Sequence, residues 1–173
     1  MTFHVISTVY ATMGHSDHKF LPSFLAESSL GKLAKWLRLA GFDTIFDSTV
    51  PNLKRLLRMA ETEGRIVLTR THSVSRRLTE EQGLFIASDA PLDQIRQVLR
   101  HFNLHREDLR LFTRCAICNQ VLRPVQKEHL PGSVPDYVRQ HYARFLTCGR
   151  CRRIYWPGTH SVRASALIDR WFE

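Results

Sequence analysis

The spacing of apolar positions predicts helices and strands in alternation along residues 20–110. Apolar side chains recur every three or four residues in some stretches, and short runs rich in β-branched residues separate these stretches. The predicted helices are Leu30–Ala40, a stripe from Leu53 to Ala60, Ser73–Leu78 and a segment beginning at Ser88, and the predicted strands are Phe20–Ala26, Thr44–Phe46, Arg65–Thr69 and Leu84–Ala87. This alternation is typical of a parallel sheet with helices on its faces, so the sequence predicts an α/β domain.

Local signals support these boundaries. Gly41 follows the first helix, where a C-terminal glycine commonly stands. Pro91 follows Ser88, a combination typical of a helix start. Lys32, Lys35 and Arg38 lie largely opposite the apolar stripe of the first helix, so all three are expected to face solvent.

The residues that follow each predicted strand are the first candidates for function. In parallel sheets the functional crevice lies beyond the carboxyl ends of the strands. Glu27, Thr71 and Asp89 follow the first, third and fourth strands. Two carboxylates that meet there would offer oxygen ligands to Mg²⁺ or Mn²⁺. Alternatively, Asp89 is a helix cap and Glu27 a solvated acid, and Asp43 and Asp47, which flank the second strand, are further neighbours or turn residues.

Charge narrows the choice of partner. The chain has 173 residues and a formal net charge of +9, and 20 of its 25 basic side chains are arginine. Arginine grips phosphate with a planar fork and stacks on bases, so nucleic acid is the favoured polyanion, although coding bias would explain the same composition. Residues 111–173 are more electropositive than residues 1–110. No apolar run has the length of a membrane helix and no secretory signal is visible, so we expect a cytoplasmic protein that does not span a membrane.

The cysteines form two Cys-x-x-Cys pairs, which predict a closed metal site. Cys115 pairs with Cys118 and Cys148 with Cys151. Four thiolates in two tight turns suit a structural Zn²⁺, with iron in the same cage as the main rival. Two disulfides or a redox pair are less favoured in a cytosolic chain. His129, His141 and His160 are then not needed as ligands, and loss of the metal is expected to loosen this region and spare the sheet domain.

The segments around the second cysteine pair carry two further expectations. The insert between the two cysteine pairs contains the segment Val134–Val138 and a predicted helix that continues up to Phe145. Basic and aromatic residues then interleave from Arg152 to His160. Such a mixture pairs phosphates and stacks bases, unless Ile154 and Trp156 pack a small core and the arginines are solvated.

Six segments together resemble a known family. They are FLAESSLGKLAKWLRLAGFDT, GRIVLTR, ASDAPLDQI, RCAICNQVLRPV, VPDYV and FLTCGRCRRIYWPGTH, in that order. In combination they are similar to the Mut-7 C-terminal RNase domain family, a branch of the PIN-like nucleases that carries a C-terminal zinc ribbon. The resemblance covers roughly residues 20–162 and implies a PIN-like sheet flanked by helices, followed by a four-cysteine zinc ribbon. It also implies Mg²⁺- or Mn²⁺-dependent cleavage of RNA by clustered acids.

The resemblance assigns roles to particular residues and leaves two functions open. Glu27 and Asp89 would be the catalytic carboxylates. The expected nucleic-acid contacts are Lys32, Lys35, Arg70, Arg150, Arg152 and Arg153. Glu27 and Thr71 stand where the family pattern has aspartate, and residues 48–58 contain no carboxylate. The chain is therefore expected to be a metal-dependent ribonuclease with a depleted acidic site or, alternatively, a scaffold that binds RNA or a ribonucleoprotein through its basic ribbon.

The expected organisation has three parts. Residues 1–19 are an N-terminal extension of unassigned role, residues 20–110 the PIN-like domain, and residues 111–173 the zinc ribbon with a C-terminal tail.

Overall fold

A parallel sheet of four strands forms the centre of the first domain, which confirms the predicted α/β class. The structure is a computed structural model that describes residues 21–46 and 53–173. The strands are β1 (Phe24–Ala26), β2 (Thr44–Phe46), β3 (Ile66–Thr69) and β4 (Gly83–Phe85), in the order β2-β1-β3-β4. β1 pairs in parallel with both β2 and β3. Pro22 precedes β1, so the central ladder loses no backbone donor.

Helices cover both faces of this sheet. They are α1 (Gly31–Leu39), α2 (Leu53–Glu63), α3 (His72–Ser75) and α4 (Pro91–His101). Successive strand residues point to opposite faces, so Phe24 and Ala26 pack with α1 and α4 while Leu25 packs with α2 and α3. All four predicted helices of this domain are present, and their ends differ from the prediction by a few residues.

A small antiparallel sheet forms the ribbon. Its strands are β5 (Leu122–Val125), β6 (Phe145–Cys148) and β7 (Ile154–Tyr155), in that order. The helix between them, α5 (Asp136–His141), ends before the sheet, so the predicted extension of this helix to Phe145 is wrong. Phe145 is the first residue of β6 and lies in a buried cluster with Val138, which explains its apolar character without a helix.

The C-terminal segment returns to the first domain. Helix α6 (Thr159–Asp169) is followed by a short 3-10 turn, and Ile168 and Trp171 belong to the same buried core as Phe24. Trp171 stacks on Trp36 of α1 with ring centroids 5.6 Å apart. The 3-10 turns are Ser28–Leu30, Arg106–Asp108, Lys127–His129 and Arg170–Phe172. The division at residue 110 stays a prediction, and residues 1–19 lie outside the described residues.

Candidate functional site

The four cysteines of the ribbon converge on one point, from the segment before β5 and the turn between β6 and β7. Their sulfur atoms all lie within 4.8 Å of one another. Cys118 Sγ is 3.3 Å from Cys148 Sγ and 3.8 Å from Cys151 Sγ, and Cys115 Sγ is 3.5 Å from Cys151 Sγ. A tetrahedron with metal–sulfur bonds of about 2.3 Å has sulfurs about 3.8 Å apart, so the group has the size of a four-thiolate metal site. All four thiols are free, and they could bind a structural metal such as zinc.

The surroundings of Cys115 favour the thiolate that a metal needs. Burial alone would raise the pKa of this thiol, but a hydrogen bond with the Tyr155 hydroxyl and backbone N–H groups lower the pKa to about 6. The Tyr155 oxygen is 3.0 Å from the Cys115 sulfur. Tyr155 is therefore an outer partner of the cysteine group.

Arg38 connects the first cysteine turn, residues 115–118, directly to the sheet domain. This side chain is only 6% exposed, so the expectation that it faces solvent is wrong. Its Nε donates to the Thr44 carbonyl at 2.8 Å, and its Nη1 donates to the carbonyls of Ala116 and Ile117 at 3.3 and 2.8 Å. Because Ala116 and Ile117 lie between two cysteines, one arginine joins α1, β2 and the metal site.

A second link surrounds Asp43. Its carboxylate accepts hydrogen bonds from Arg65 and Asn119 at 2.6 and 2.7 Å and lies 3.2 Å from Arg114. Asn119 also accepts the Thr44 N–H at 2.9 Å. Asp43 precedes β2 and therefore lies at the amino edge of the sheet, away from Glu27, so it serves as a docking residue and not as a third acid of the predicted metal site. Asp47 lies outside the described residues.

Glu27 lies at the carboxyl edge, as predicted, and is held by a dense set of hydrogen bonds. The residue is only 8% exposed. One oxygen accepts the Ser29 hydroxyl at 2.8 Å and the Arg70 N–H at 2.6 Å. The other accepts the hydroxyls of Thr69 and Thr71 at 2.5 and 3.2 Å. A carboxylate offers about four acceptor positions, so the protein itself occupies the full capacity of Glu27.

Asp89 lies at the same edge in a different environment. Its side chain is 87% exposed and forms an ion pair with the guanidinium of Arg70. Arg70 thus contacts both predicted carboxylates, Glu27 through its backbone and Asp89 through its side chain. Within the described part of the chain, the cysteines are the one group of three or more metal-ligating side chains, so no third acid joins these two.

The predicted nucleic-acid contacts lie on three elements. Lys32 and Lys35 are exposed on α1. Arg150, Arg152 and Arg153 are exposed on the second cysteine turn, which we define as residues 148–153. Ile154 and Trp156 pack against the buried cluster of the ribbon, which agrees with the packing alternative for the aromatic stretch. His129, His141 and His160 are exposed and do not belong to the cysteine group.

Sequence reasoning missed the partners that hold the site. Arg38 shares a helix with exposed lysines, and its burial depends on residues about eighty positions away. The hydroxyl donors to Glu27 are ordinary Ser and Thr positions. One signal was available for Glu27 itself, because a carboxylate next to a buried strand and followed by two serines needs local donors.

Comparison with known proteins gives the class and then the family. The parallel sheet flanked by helices and the cluster of four cysteines define an α/β protein with a C-terminal group of thiols that could bind a metal. The family model described as Mut7-C RNAse domain matches residues 22–168, and the chain belongs to this family. No curated protein and no solved structure matches the chain. No helix within the described ranges has both the length and the apolar character needed to cross a bilayer.

Proposed function

We propose that this chain acts on RNA and hydrolyses its phosphodiester bonds at the carboxyl edge of the parallel sheet. The observation that carries the proposal is the contact of Arg70 with both Glu27 and Asp89, which gathers the predicted catalytic pair at the edge where such sheets bind ligands. Family membership and the excess of arginine support RNA as the substrate class. A cytoplasmic location is part of the proposal.

The side chains at this edge offer the type of ligand atom that a hard divalent cation prefers. The carboxylates of Glu27 and Asp89 and the hydroxyls of Ser29 and Thr71 are all oxygen ligands, which Mg²⁺ and Mn²⁺ prefer. Asp89 would have to exchange Arg70 for the cation, and Glu27 would have to release a hydroxyl donor. When bound, such a cation supplies an activated water and neutralises charge on the phosphate.

The side chains of the protein then have distinct roles. Asp89 is the exposed carboxylate and the first to meet an incoming cation. Arg70, released from Asp89, would pair with a phosphate oxygen of the RNA, because its planar donors match phosphate as well as carboxylate. Glu27 would give up one hydroxyl donor to the cation and would remain oriented by its other three donors. Asp89 is 87% exposed, so water can replace Arg70 as its partner, whereas Arg70 is only 30% exposed and would need the phosphate as a new partner.

A scaffold that binds RNA without cutting it is the second candidate. The observation that favours it is the complete hydrogen bonding of Glu27, which leaves this carboxylate no free acceptor position. Cationic side chains on the second cysteine turn would then carry the binding, and the carboxyl edge would have a structural role.

A structural Zn²⁺ held by the four cysteines is also part of the proposal. The sulfur separations support it, and so does the closed set of ligands, which leaves no position for a reacting water. Metal analysis of the purified protein should find one zinc per chain. A metal-free preparation that keeps the ribbon folded would contradict this assignment.

Cleavage assays separate the two candidates. We expect hydrolysis of single-stranded RNA that depends on added Mg²⁺ or Mn²⁺ and falls at least tenfold in Asp89→Asn and in Glu27→Gln. Asp136→Asn is the matched control, since Asp136 is an exposed carboxylate on the ribbon. Thr71→Asp should raise activity by restoring an acid at the edge.

One outcome of these assays would contradict the proposed site, and another would favour the scaffold. Cleavage that persists undiminished in the Glu27→Gln, Asp89→Asn double variant would overturn the site. No cleavage with either metal, together with tight RNA binding, would establish the scaffold.

A further inference from the structure

Helix α1 runs the full height of the sheet domain. It begins four residues after Glu27, at the carboxyl edge, and its end leads through Gly41 to Asp43 at the amino edge. The helix has nine residues, so it spans about 14 Å at 1.5 Å per residue. The helix therefore extends from the edge that carries Glu27 and Asp89 to the edge that contacts the first cysteine turn.

The solvent face of α1 carries two cations. Lys32 and Lys35 are both exposed and stand three residues apart, so they are neighbours on the helix surface. The Lys32 ammonium lies 5.4 Å from the ring centroid of Trp36, a partly exposed aromatic residue. This cation–π contact holds the ammonium near the helix surface.

The far end of α1 meets the ribbon. Arg38, one turn beyond Lys35, is buried beneath the first cysteine turn, where it binds the Ile117 carbonyl at 2.8 Å. The second cysteine turn shares the same sulfur cluster and carries the exposed Arg150, Arg152 and Arg153. Positive side chains therefore occur at the start, along the middle and beyond the end of α1.

We propose that a single strand of RNA with stacked bases binds along α1, with one end at Arg70 and the other at the arginines of the second cysteine turn. The inference rests on the proposed function for its choice of RNA, and it adds the path and the minimum length of the ligand. The phosphates of a strand with stacked bases advance about 3.4 Å per nucleotide along its axis, so such a strand needs about four nucleotides to cover the helix alone. A strand that contacts both ends must be longer, because each end adds at least one phosphate.

This arrangement predicts a length threshold. Two groups of cations joined by one ligand act with a high effective concentration, and the gain is lost if the ligand cannot reach both. A tetranucleotide should therefore bind weakly, and a strand of twelve nucleotides should bind much more tightly than its threefold greater length explains.

The test measures binding of oligouridylates of four, eight and twelve nucleotides by fluorescence anisotropy. The buffer contains no added Mg²⁺ or Mn²⁺ and no chelator, so that cleavage does not enter and the cysteine site stays intact. In this buffer a phosphate of the RNA has to displace Asp89 from Arg70 directly. Lys32→Gln, Lys35→Gln is the test variant. We expect it to lose about tenfold in affinity for the twelve-nucleotide strand and to reduce the salt slope by about 1.4, the value for two phosphate contacts. Its affinity for the tetranucleotide should change by less than threefold.

A matched variant, Arg58→Gln, Arg76→Gln, removes the same charge from the opposite face of the sheet, where α2 and α3 pack. It should retain the length threshold and most of the affinity. Equal losses in the two variants, or an affinity that rises only in proportion to length, would overturn the path along α1. Absence of cleavage in a separate assay would count against the nuclease and leave this binding result unchanged.

Discussion

Single side chains in this protein connect segments that are far apart in the sequence. Arg38 and Asn119 bind backbone groups across the boundary between the sheet domain and the cysteine turn. Arg70 brings together Glu27 and Asp89. Each of these residues offers several planar donors or acceptors, so one side chain satisfies groups from two or three segments at once.

Replacing Arg70 should change metal binding at the carboxyl edge. Arg70→Gln removes the cation that pairs with Asp89, so repulsion of an incoming dication disappears. We expect the affinity for Mn²⁺, measured by electron paramagnetic resonance, to rise about fivefold. The gain should vanish in the Arg70→Gln, Asp89→Asn double variant, and an unchanged affinity in Arg70→Gln would show that this edge does not attract the cation.

Acid should weaken the docking of the cysteine turn through Asp43. Burial would raise the pKa of this carboxyl, but hydrogen bonds from Arg65 and Asn119 outweigh burial and hold the pKa below its ordinary value of 3.8. A carboxyl with a lowered folded pKa stabilises the fold fully above its unfolded pKa, and this contribution disappears as the pH falls through the folded pKa.

The corresponding measurement is urea unfolding between pH 6 and pH 2. Part of the loss of stability below about pH 4 should disappear in Asp43→Asn, which is also less stable at neutral pH. Asp136→Asn should retain the acid dependence of the wild-type protein. An Asp43→Asn variant with the full dependence would mean that other groups control it.

For single residues, the sequence predicted where a residue lies in the fold better than it predicted what its side chain contacts. Glu27 and Asp89 lie after β1 and β4 as predicted, because residues that follow parallel strands all lie at the carboxyl edge of the sheet. The four donors of Glu27 and the burial of Arg38 could not be predicted, since both depend on contacts between segments whose relative placement the sequence pattern does not define.

Among the secondary-structure elements of the sheet domain, α1 and β2 both bind the segment that carries the first two cysteines. Arg38 of α1 and Thr44 of β2 are both bound to the first cysteine turn or its neighbour Asn119. Phe112 and Arg110 donate backbone hydrogen bonds to Leu39 and Ala40 at the end of α1. The sheet domain is still expected to survive loss of the metal, but these contacts predict that β2 and the end of α1 respond to it.

Loss of the metal should therefore increase local opening at the β2 edge of the parallel sheet. In Cys151→Ser, hydrogen exchange should quicken in the ribbon and also in β2 and the last turn of α1, because Arg38 loses fixed carbonyl partners. β4, on the other edge of the sheet, is the internal control and should keep its protection. Exchange confined to the ribbon would show that the two parts are independent.

The helices and strands were largely predictable because each carries its own apolar period. The helix expected to reach Phe145 is the exception. Its apolar residues fit a helical stripe equally well, but Phe145 pairs with Val125 in the ribbon sheet, and this distant pairing outweighs the local pattern.

For the whole molecule, the C-terminal segment is part of the first core. Trp171 is 3% exposed and stacks on Trp36, and Ile168 is 1% exposed. The sequence shows that these positions are apolar, but it does not predict that they pack in the core of the sheet domain. The chain therefore closes on itself, with the ribbon inserted between two contributions to one core.

Truncating Trp171 should destabilise the whole sheet domain. Trp171→Ala removes a large buried side chain, so we expect a loss of about 3–5 kcal/mol in the free energy of unfolding by urea. Phe172→Ala, at a neighbouring residue that is 39% exposed, should cost about 1 kcal/mol or less. Similar costs for both variants would contradict the role of Trp171 in the core.

The return of Trp171 to Trp36 also governs the order in which the protein matures during synthesis. The ribosome delivers residue 36 long before residue 171, and at about 5–20 residues per second the intervening chain takes roughly 7–27 seconds to make. During that interval the apolar side of α1 that Trp171 will cover stays open, while the cysteine turns are completed and can collect their metal. The nascent chain should consequently acquire its ribbon before its first core is sealed, and it is most exposed to aggregation in the seconds before its last helix emerges.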